Sequence, residues 1–246
     1  MKIWAHRGCS QRYPENTLTS FLKATELPGL TGIELDIQMT KDGEIVVIHD
    51  ERVDRTTNGI GYVKEFTYGQ IRQMEIDAGG GKREKIPSIQ EVLDILHDKM
   101  EQGMLLNIEM KNSVVPYEGM EDKIIELIER KYLQEEVVFS SFYVRSLVQI
   151  RKWEPRISIG ILDTNVSDCF YKKKGAFDSE DSSVALHPFW KRMDMTENGL
   201  KNQTVRAWFT GHLYPEPPTG KKLDLGQLER FGVTDVFLNE PEIYLS

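Results

Sequence analysis

The chain has 246 residues, enough for one domain with a large core, and its 39% hydrophobic and 28% charged residues are typical of a globular protein. Its formal net charge of -8 argues against generic nucleic-acid binding, which needs a basic surface, but allows a small anionic substrate. The two cysteines form neither a metal-binding spacing nor a disulfide framework, and no stretch approaches the roughly 18 apolar residues of a membrane helix. We therefore expect a cytoplasmic protein without a signal peptide, stable membrane insertion or a nucleic-acid partner, and the oligomeric state stays open.

Apolar periodicity and turn signals predict the first elements of the chain. In chain order these are a strand at 3–6, a helix at 16–26, strands at 33–40 and 44–49, and a short helix at 68–74. Asn16 or Thr17 is expected to cap the first helix. Asp42-Gly43 predicts a tight turn between the second and third strands. The segment 51–87 is loop-rich, so regular alternation resumes only after it.

Strands and helices then alternate to the end of the chain. The predicted order is helix 89–100, strand 104–111, helix 121–131, strand 137–142, helix 144–153, strands 157–162 and 183–186, helix 194–203, strand 205–209, helix 225–231 and strand 233–238. The lysine-containing segment 163–183 is expected to be a solvated loop, with a mobile flap as the alternative. This alternation predicts an α/β fold of parallel βαβ units. A (β/α)₈ TIM barrel is our first choice, provided that one strand of the Asp42-Gly43 pair joins it, and an open doubly wound sheet is the alternative.

Acidic side chains interrupt strands that are otherwise apolar. Residues two apart on a strand share a face, so Glu34 points with Asp36, and Glu109 points with Lys111. Strands of a parallel barrel are normally near-continuous apolar runs, and an unpaired inward carboxylate is costly. A divalent cation resolves this conflict. The three carboxylates Glu34, Asp36 and Glu109 suit a hard ion, Mg²⁺ or Ca²⁺, with Mn²⁺ as a further candidate.

Two histidines and an arginine lie at neighbouring strand ends. His6 and Arg7 end the first strand, and His49 ends the strand after the turn. Each polar residue alone has a simpler interpretation as surface alternation, an ion pair or a core histidine. Their joint placement at the ends of successive strands, where barrel enzymes carry their active sites, favours catalysis. The segment from His187 to Trp190 is interpreted either as structural or as a lip over this site.

These residues also fall in motifs of a known family. The chain resembles the glycerophosphodiester phosphodiesterases in His6-Arg7-Gly8 with Pro14-Glu15-Asn16-Thr17, in 33–43, in 46–50 with Arg55-Thr56-Thr57, and in 107–111. The strong part of the resemblance covers residues 1–111. Two C-terminal segments, 208–211 and 238–241, differ from the family's commoner Trp-Thr-Val-Asn and Thr-Asp-x-Pro endings, which puts substrate choice in doubt more than catalysis.

The resemblance implies one barrel domain over residues 1–246, of the phospholipase-C-like phosphodiesterase type. It implies hydrolysis of a small-molecule glycerophosphodiester to sn-glycerol 3-phosphate and an alcohol. The implied roles are His6 and His49 as the acid/base pair, Glu34, Asp36 and Glu109 as metal ligands, Arg7 and Lys111 as phosphate-contacting cations, and Glu15 and Trp208 as further substrate-site residues. Glu15 is expected either to orient Arg7 or to touch the metal shell.

Two other functions remain as alternatives. A related barrel could act on phospholipid or lysophospholipid, but it would need a membrane-docking surface, and no amphipathic basic helix is evident. A barrel could also bind phosphodiesters without catalysis, but such a protein would be expected to have lost a histidine or an acid of the set.

Overall fold

The computed structural model describes residues 1–193, 200–209 and 223–245. Its strands, in chain order, are β1 (Lys2–His6), β2 (Gly32–Met39), β3 (Ile45–Val47), β4 (Ile76–Asp77), β5 (Arg83–Glu84), β6 (Leu105–Met110), β7 (Val137–Ser141), β8 (Ser158–Asp163), β9 (Val184–Pro188), β10 (Arg206–Trp208) and β11 (Asp235–Leu238). Its α-helices are α1 (Leu18–Thr25), α2 (Tyr68–Ile71), α3 (Ile89–Glu101), α4 (Met120–Lys131), α5 (Val144–Trp153), α6 (Val166–Ala176) and α7 (Leu225–Arg230).

Eight of the described strands form a parallel barrel. Their order in the sheet is β10-β11-β1-β2-β6-β7-β8-β9, with every neighbouring pair parallel. The two ends of this sheet meet through parallel bridges that join Leu186 to Val205 and Phe189 to Trp208. The barrel prediction is therefore confirmed, and the open doubly wound sheet is excluded because its edges would remain apart.

The Asp42-Gly43 turn decides which strand joins the barrel. Gly43 has φ +81°, a left-handed conformation that favours glycine, and a bond from Gly43 N to Thr40 O closes the turn. β3 then returns antiparallel to β2 and stays outside the barrel. Because β3 already ends at Val47, His49 lies in the loop that follows it, not at the end of a strand running to residue 49 as predicted.

The segment predicted as a loop at 163–183 instead contains α6, so that prediction is wrong. Asn165 caps the helix by accepting from Asp168 N, and Val166, Cys169 and Lys173 are buried against the barrel. The Lys173 ammonium donates to Asp181 O, Val184 O and Gln203 Oε1 at 2.7–2.9 Å. Because a lysine occupies the buried face, the apolar periodicity expected of a helix is interrupted in this segment.

The helix predicted at 194–203 falls partly outside the described residues, because 194–199 are not among them. Thr210 and Gly211, which belong to the C-terminal segment 208–211, also lie outside the described residues. Leu200 lies in a 3-10 turn, and a bond from Gln203 N to Leu200 O closes a turn over 201–202, so the described part of the predicted helix does not continue to residue 203.

Apolar side chains divide between three regions. The largest core lies between the strands and the helices and includes the outward residues Ile33, Leu35 and Ile37 of β2. A small lumen cluster contains Trp4, Val138 and Phe237. A separate core packs beneath the excursion between β3 and α3 and holds the loop that carries His49 against the barrel. Within the described ranges, no helix is long and apolar enough to cross a membrane.

Candidate active site

Three buried carboxylates meet inside the barrel on β2 and β6. Glu34, Asp36 and Glu109 place carboxylate oxygens within 4.8 Å of one another. The parallel pairing of the two strands sets Asp36 opposite Glu109. Because side chains alternate along β2, the acids face the lumen while their apolar neighbours face the helices.

The electrostatics of this cluster fit a cation site. Burial, with the charges of Asp36 and Glu109, raises the pKa of Glu34 well above its ordinary value, and burial raises the pKa of Glu109 despite the opposing charge of Lys111. Among the described residues, the buried Asp36 Oδ1 has no hydrogen-bond partner, and Lys111 Nζ is 3.9 Å away. A hard divalent cation would relieve both the mutual repulsion and the unsatisfied oxygen, so these donors fit the predicted metal.

His6 ends β1 with its two ring nitrogens in different surroundings. Nδ1 lies 2.6 Å from Oδ1 of Asn239, which can only accept, so Nδ1 carries the proton. Nε2 therefore offers its lone pair to the lumen, where Glu34 Oε2 is 3.8 Å away. Burial and the charge of Arg7 lower the pKa of His6 to about 4, which leaves the ring neutral at pH 7 and able to accept a proton.

Arg7 is the first residue after β1, and its side chain is buried. The backbone turns there with φ 58°, and Arg7 N donates to Glu34 Oε2 at 3.0 Å. The guanidinium contacts two acids, with Nε 3.2 Å from Asp36 Oδ2 and Nη1 donating to Glu15 Oε1 at 3.0 Å. Glu15 thus lies where the sequence predicted, against Arg7.

Asn16 is a site residue whose role the sequence did not reveal. Either Asn16 or Thr17 was expected to cap α1, and the structure assigns the cap to Thr17. The Asn16 amide is then left to donate to Asp36 Oδ2 at 2.9 Å, from a backbone with φ 56° that asparagine tolerates better than most residues. The signal was present in the motif, but it was read as a cap.

His49 lies between an acid and a lysine. Its Nδ1 donates to Asp50 Oδ1 at 2.7 Å, and its Nε2 accepts from Lys111 Nζ at 3.0 Å. The same ammonium donates to Glu109 Oε1 at 2.7 Å, which connects His49 to the carboxylate cluster. Burial would lower the pKa of Lys111, but the charges of Glu109 and Asp36 raise it above its ordinary value.

Aromatic rings line the opposite side of the mouth. Trp208 on β10 lies 4.7 Å from Phe189 and 6.2 Å from Phe142, measured between ring centroids. Lys111 Nζ is 5.9 Å from the Phe142 ring centroid, so the aromatic side begins beside the predicted phosphate cation. The mouth therefore has a charged half, from β1, β2 and β6, and an aromatic half, from the ends of β7, β9 and β10.

His187 does not form a lip over the site. It is fully buried in the lumen, its ring centroid lies 5.3 Å from that of Phe237, and Arg206 Nη1 is 3.3 Å from its Nε2. Phe189, the residue after β9, does reach the mouth, where it packs against Trp208, whereas Trp190 packs against the core between the strands and the helices.

A parallel barrel with buried acids, histidines and cations at the carboxyl ends of its strands is typical of a barrel hydrolase. The model of the glycerophosphoryl diester phosphodiesterase family matches residues 6–176. The chain is 37% identical, over 99% of its length and 96% of the relative's, to a glycerophosphodiester phosphodiesterase of Caldanaerobacter subterraneus subsp. tengcongensis. It is 31% identical to one of Bacillus subtilis, over 98% of the chain and 84% of the relative.

Solved structures show the same fold. A phosphodiesterase from Oleispira antarctica, solved in complex with the product sn-glycerol-3-phosphate, superposes with a TM-score of 0.77 at 24% identity, over 99% of this chain and 94% of that one. This likeness, below 25% identity, concerns the fold alone. The chain belongs to the glycerophosphoryl diester phosphodiesterase family. The predicted family and enzyme class are confirmed.

Proposed function

We propose that this chain hydrolyses glycerophosphodiesters to sn-glycerol 3-phosphate and an alcohol, in a reaction that depends on a divalent metal. The observation that carries the proposal is the convergence of all the predicted catalytic, metal and phosphate-contacting side chains in one connected cluster. Relatives matched along nearly the whole chain bear the name of this activity, and a neighbour of the same fold holds the product. A barrel that only binds phosphodiesters is disfavoured because no member of the set is missing.

Glu34, Asp36 and Glu109 are the residues that would hold the metal. Their carboxylate oxygens suit Mg²⁺ or Ca²⁺, and Mn²⁺ accepts the same donors. When bound, a divalent cation supplies positive charge against the charge that develops on the phosphodiester. Arg7 and Lys111 each contact this acid set in the structure, and we assign them to the phosphate oxygens of the substrate.

The two histidines form the proposed acid/base pair. His6 is neutral at pH 7, since its pKa is about 4, and it suits the group that accepts the proton of the nucleophile. For the acid step His49 carries protons on both ring nitrogens, so that Nε2 gives its proton to the leaving alkoxide instead of accepting from Lys111, while Asp50 orients the ring through Nδ1. The nucleophile is water or the substrate's own glycerol 2-hydroxyl. Either nucleophile gives its proton to His6. Attack by water releases sn-glycerol 3-phosphate directly, whereas attack by the 2-hydroxyl expels the alcohol and forms a cyclic phosphate, which a water molecule must then open to give the same product.

The aromatic half of the mouth is the proposed contact for the part of the substrate that extends from phosphorus. Phe142 lies beside Lys111, and Trp208 packs against Phe142. Aromatic rings of this kind favour contact with carbon atoms or with a cationic head group over contact with an anionic group.

We also propose, from the sequence, that residues 1–246 form one barrel domain and that the protein is cytoplasmic.

Turnover of metal-stripped protein tests the proposal. Glycerophosphocholine and glycerophosphoethanolamine are supplied with Mg²⁺, Ca²⁺ or Mn²⁺, and sn-glycerol 3-phosphate is detected by a coupled assay. We expect release only after metal is restored. His49→Ala should lower kcat by roughly 10²- to 10⁴-fold in a folded protein, whereas Glu34→Gln should require more metal for the same rate.

The exposed Glu118→Gln is the matched control for a lost carboxylate and should behave as wild type. Unchanged metal affinity in Glu34→Gln would sink the ligand assignment. Absence of release with every metal would contradict the proposed substrate, and turnover of lysophospholipid alone would favour the lipid alternative.

A further inference from the structure

Arg55 occupies a bridging position beside the site, in the loop after β3. Its guanidinium donates twice to Asp50, from Nε to Oδ2 at 2.8 Å and from Nη2 to Oδ1 at 3.1 Å. It also donates twice to Glu15, from Nη1 to Oε2 and from Nη2 to Oε1, both at 2.7 Å. One planar group therefore joins two carboxylates that lie far apart in sequence.

Each of these carboxylates holds a different residue of the site. Asp50 Oδ1 accepts from His49 Nδ1 at 2.7 Å, and Glu15 Oε1 accepts from Arg7 Nη1 at 3.0 Å. The chain of contacts runs from His49 through Asp50, Arg55 and Glu15 to Arg7. It spans the loop after β1 and the excursion after β3, and the excursion has its own small core.

The geometry of these contacts can hold the two carboxylates in a fixed orientation, in addition to neutralising their charge. A guanidinium presents its N–H groups in a rigid plane, so it can grip two carboxylates at once, whereas a lysine ammonium is a point charge on a flexible stem. The Arg55 side chain is 32% exposed and its two acids are less so, which places it between solvent and the site. Within the described part of the chain, its hydrogen bonds and ion pairs reach neither the carboxylate cluster of the lumen nor the aromatic half of the mouth.

We propose that Arg55 is a positioning residue, which holds the acid/base group His49 and the phosphate cation Arg7 in their productive relative orientation through Asp50 and Glu15. This inference rests on the proposed function. Displacement of a catalytic group by about 1 Å can cost on the order of 100-fold in rate. The expected defect is therefore in kcat, because the proposed role of Arg55 is to orient residues of the site and not to bind the substrate.

The test is Arg55→Ala with chemical rescue. We expect kcat for glycerophosphocholine to fall about 10- to 100-fold while KM stays within about threefold of wild type, the size of change typical for a group that does not bind substrate. Ethylguanidinium, which replaces the deleted atoms and can enter from solvent, should restore several-fold of the lost rate. Ethylammonium at the same concentration should not, and Arg55→Lys should resemble Arg55→Ala.

Arg52→Ala is the matched control. Arg52 lies in the same loop, and among the acids that the structure describes it pairs with the exposed Asp54 alone, at 2.7 Å, so its loss should leave turnover unchanged. A kcat for Arg55→Ala within twofold of wild type would overturn the proposal, and so would a loss that ethylguanidinium restores no better than ethylammonium. Thermal unfolding of both variants separates a lost orientation from a lost fold.

A second readout does not depend on turnover. The hydrogen-bonded Nδ1 proton of His49 should give a downfield imidazole resonance, assigned by its loss in His49→Ala. In Arg55→Ala this resonance should move upfield or exchange away, and in Arg52→Ala it should persist. Wild-type protein without turnover would refute the proposed function, whereas an unchanged resonance in Arg55→Ala would refute the positioning role.

Discussion

The two histidines of the site differ in the residue that accepts a hydrogen bond from ring nitrogen Nδ1. His6 donates from Nδ1 to a neutral amide, Asn239, whereas His49 donates from Nδ1 to a carboxylate, Asp50. In each case the partner decides which ring nitrogen carries the proton. Both partners lie outside the set that the sequence assigned to chemistry, so the orientation of the reacting groups depends on residues with no direct role in it.

Asn239→Ala tests this orientation at His6. Removal of the acceptor frees the ring to rotate or change tautomer, and we expect kcat to fall about 10-fold or more, with KM nearly unchanged. Asn239→Asp keeps an acceptor at the same place and should retain most of the activity. Steady-state kinetics of the two variants check this, and equal losses in both would contradict a role that depends on the acceptor.

Glu15 supports a prediction about acid stability. Burial raises its pKa, but hydrogen bonds from Arg55 and the charge of Arg7 outweigh burial and lower the pKa from 4.5 to about 2. A carboxyl whose pKa is lowered in the folded state stabilises the protein above pH 4.5, and this stabilisation is lost as pH falls towards 2. At pH 7 it should amount to about 2–3 kcal/mol.

The measurement is urea unfolding of wild type and Glu15→Gln at pH 7, 4 and 3. The stability difference between them should be largest at pH 7 and shrink with decreasing pH. The exposed Glu118→Gln serves as the control and should differ little from wild type throughout. A difference that stays constant from pH 7 to pH 3 would rule out this account of Glu15.

Helix α6 shows that an element can be missed when its buried face is polar. Lys173 sits in the row of residues that faces β9, and its three ammonium protons match three oxygen acceptors, two of them backbone carbonyls of the 181–184 segment. The lysine thereby joins the helix to the strand that follows it and to Gln203. Such a group stabilises the element only while all its partners remain satisfied.

Lys173→Ala should therefore destabilise the fold by about 2–4 kcal/mol, because it leaves buried acceptors unpaired as well as a cavity. Urea denaturation is the measurement. Lys174, the next residue, is exposed, and Lys174→Ala should change stability by no more than about 0.5 kcal/mol. Similar losses in the two variants would show that the buried ammonium has no special structural role.

Packing of the barrel lumen is a property of the whole molecule, since it brings together strands from both ends of the chain. The His187 ring of β9 lies over Gly160 of β8, where a Cβ atom would be only 2.1 Å from His187 Cε1. The ring is held from the other side by Phe237 and Arg206. The absence of a side chain at residue 160 is what allows the lumen below the site to be filled.

Gly160→Ala should cost about 1–3 kcal/mol, because a crowded core must shift to admit the methyl group. Gly175→Ala is the matched control, since nothing lies within 4 Å of its added Cβ, and a helical glycine replaced by alanine should gain about 0.5–1 kcal/mol. Thermal or urea unfolding of both variants decides the point, and a neutral Gly160→Ala would mean that the ring can move aside.

Local signals were sufficient for the barrel and for the acids that meet inside it. Alternation of strands and helices, the Asp42-Gly43 turn and the i, i+2 spacing of acids are properties of short segments, and they predicted both the fold and the acids of the lumen. The family motifs named the substrate class because they too are local. The sequence also located His6, Arg7 and Lys111, each at a strand end.

The tertiary structure alone revealed the partners of these groups. Asn239 meets His6 and Arg55 meets Glu15 only because distant strands and loops converge at one mouth, and no spacing along the chain encodes such a meeting. The burial of Lys173 was hidden for the same reason, since a lysine is expected to be solvated until its acceptors are known. Local periodicity determines which face of an element is apolar, but hydrogen-bond pairing between faces is set by the closure of the barrel.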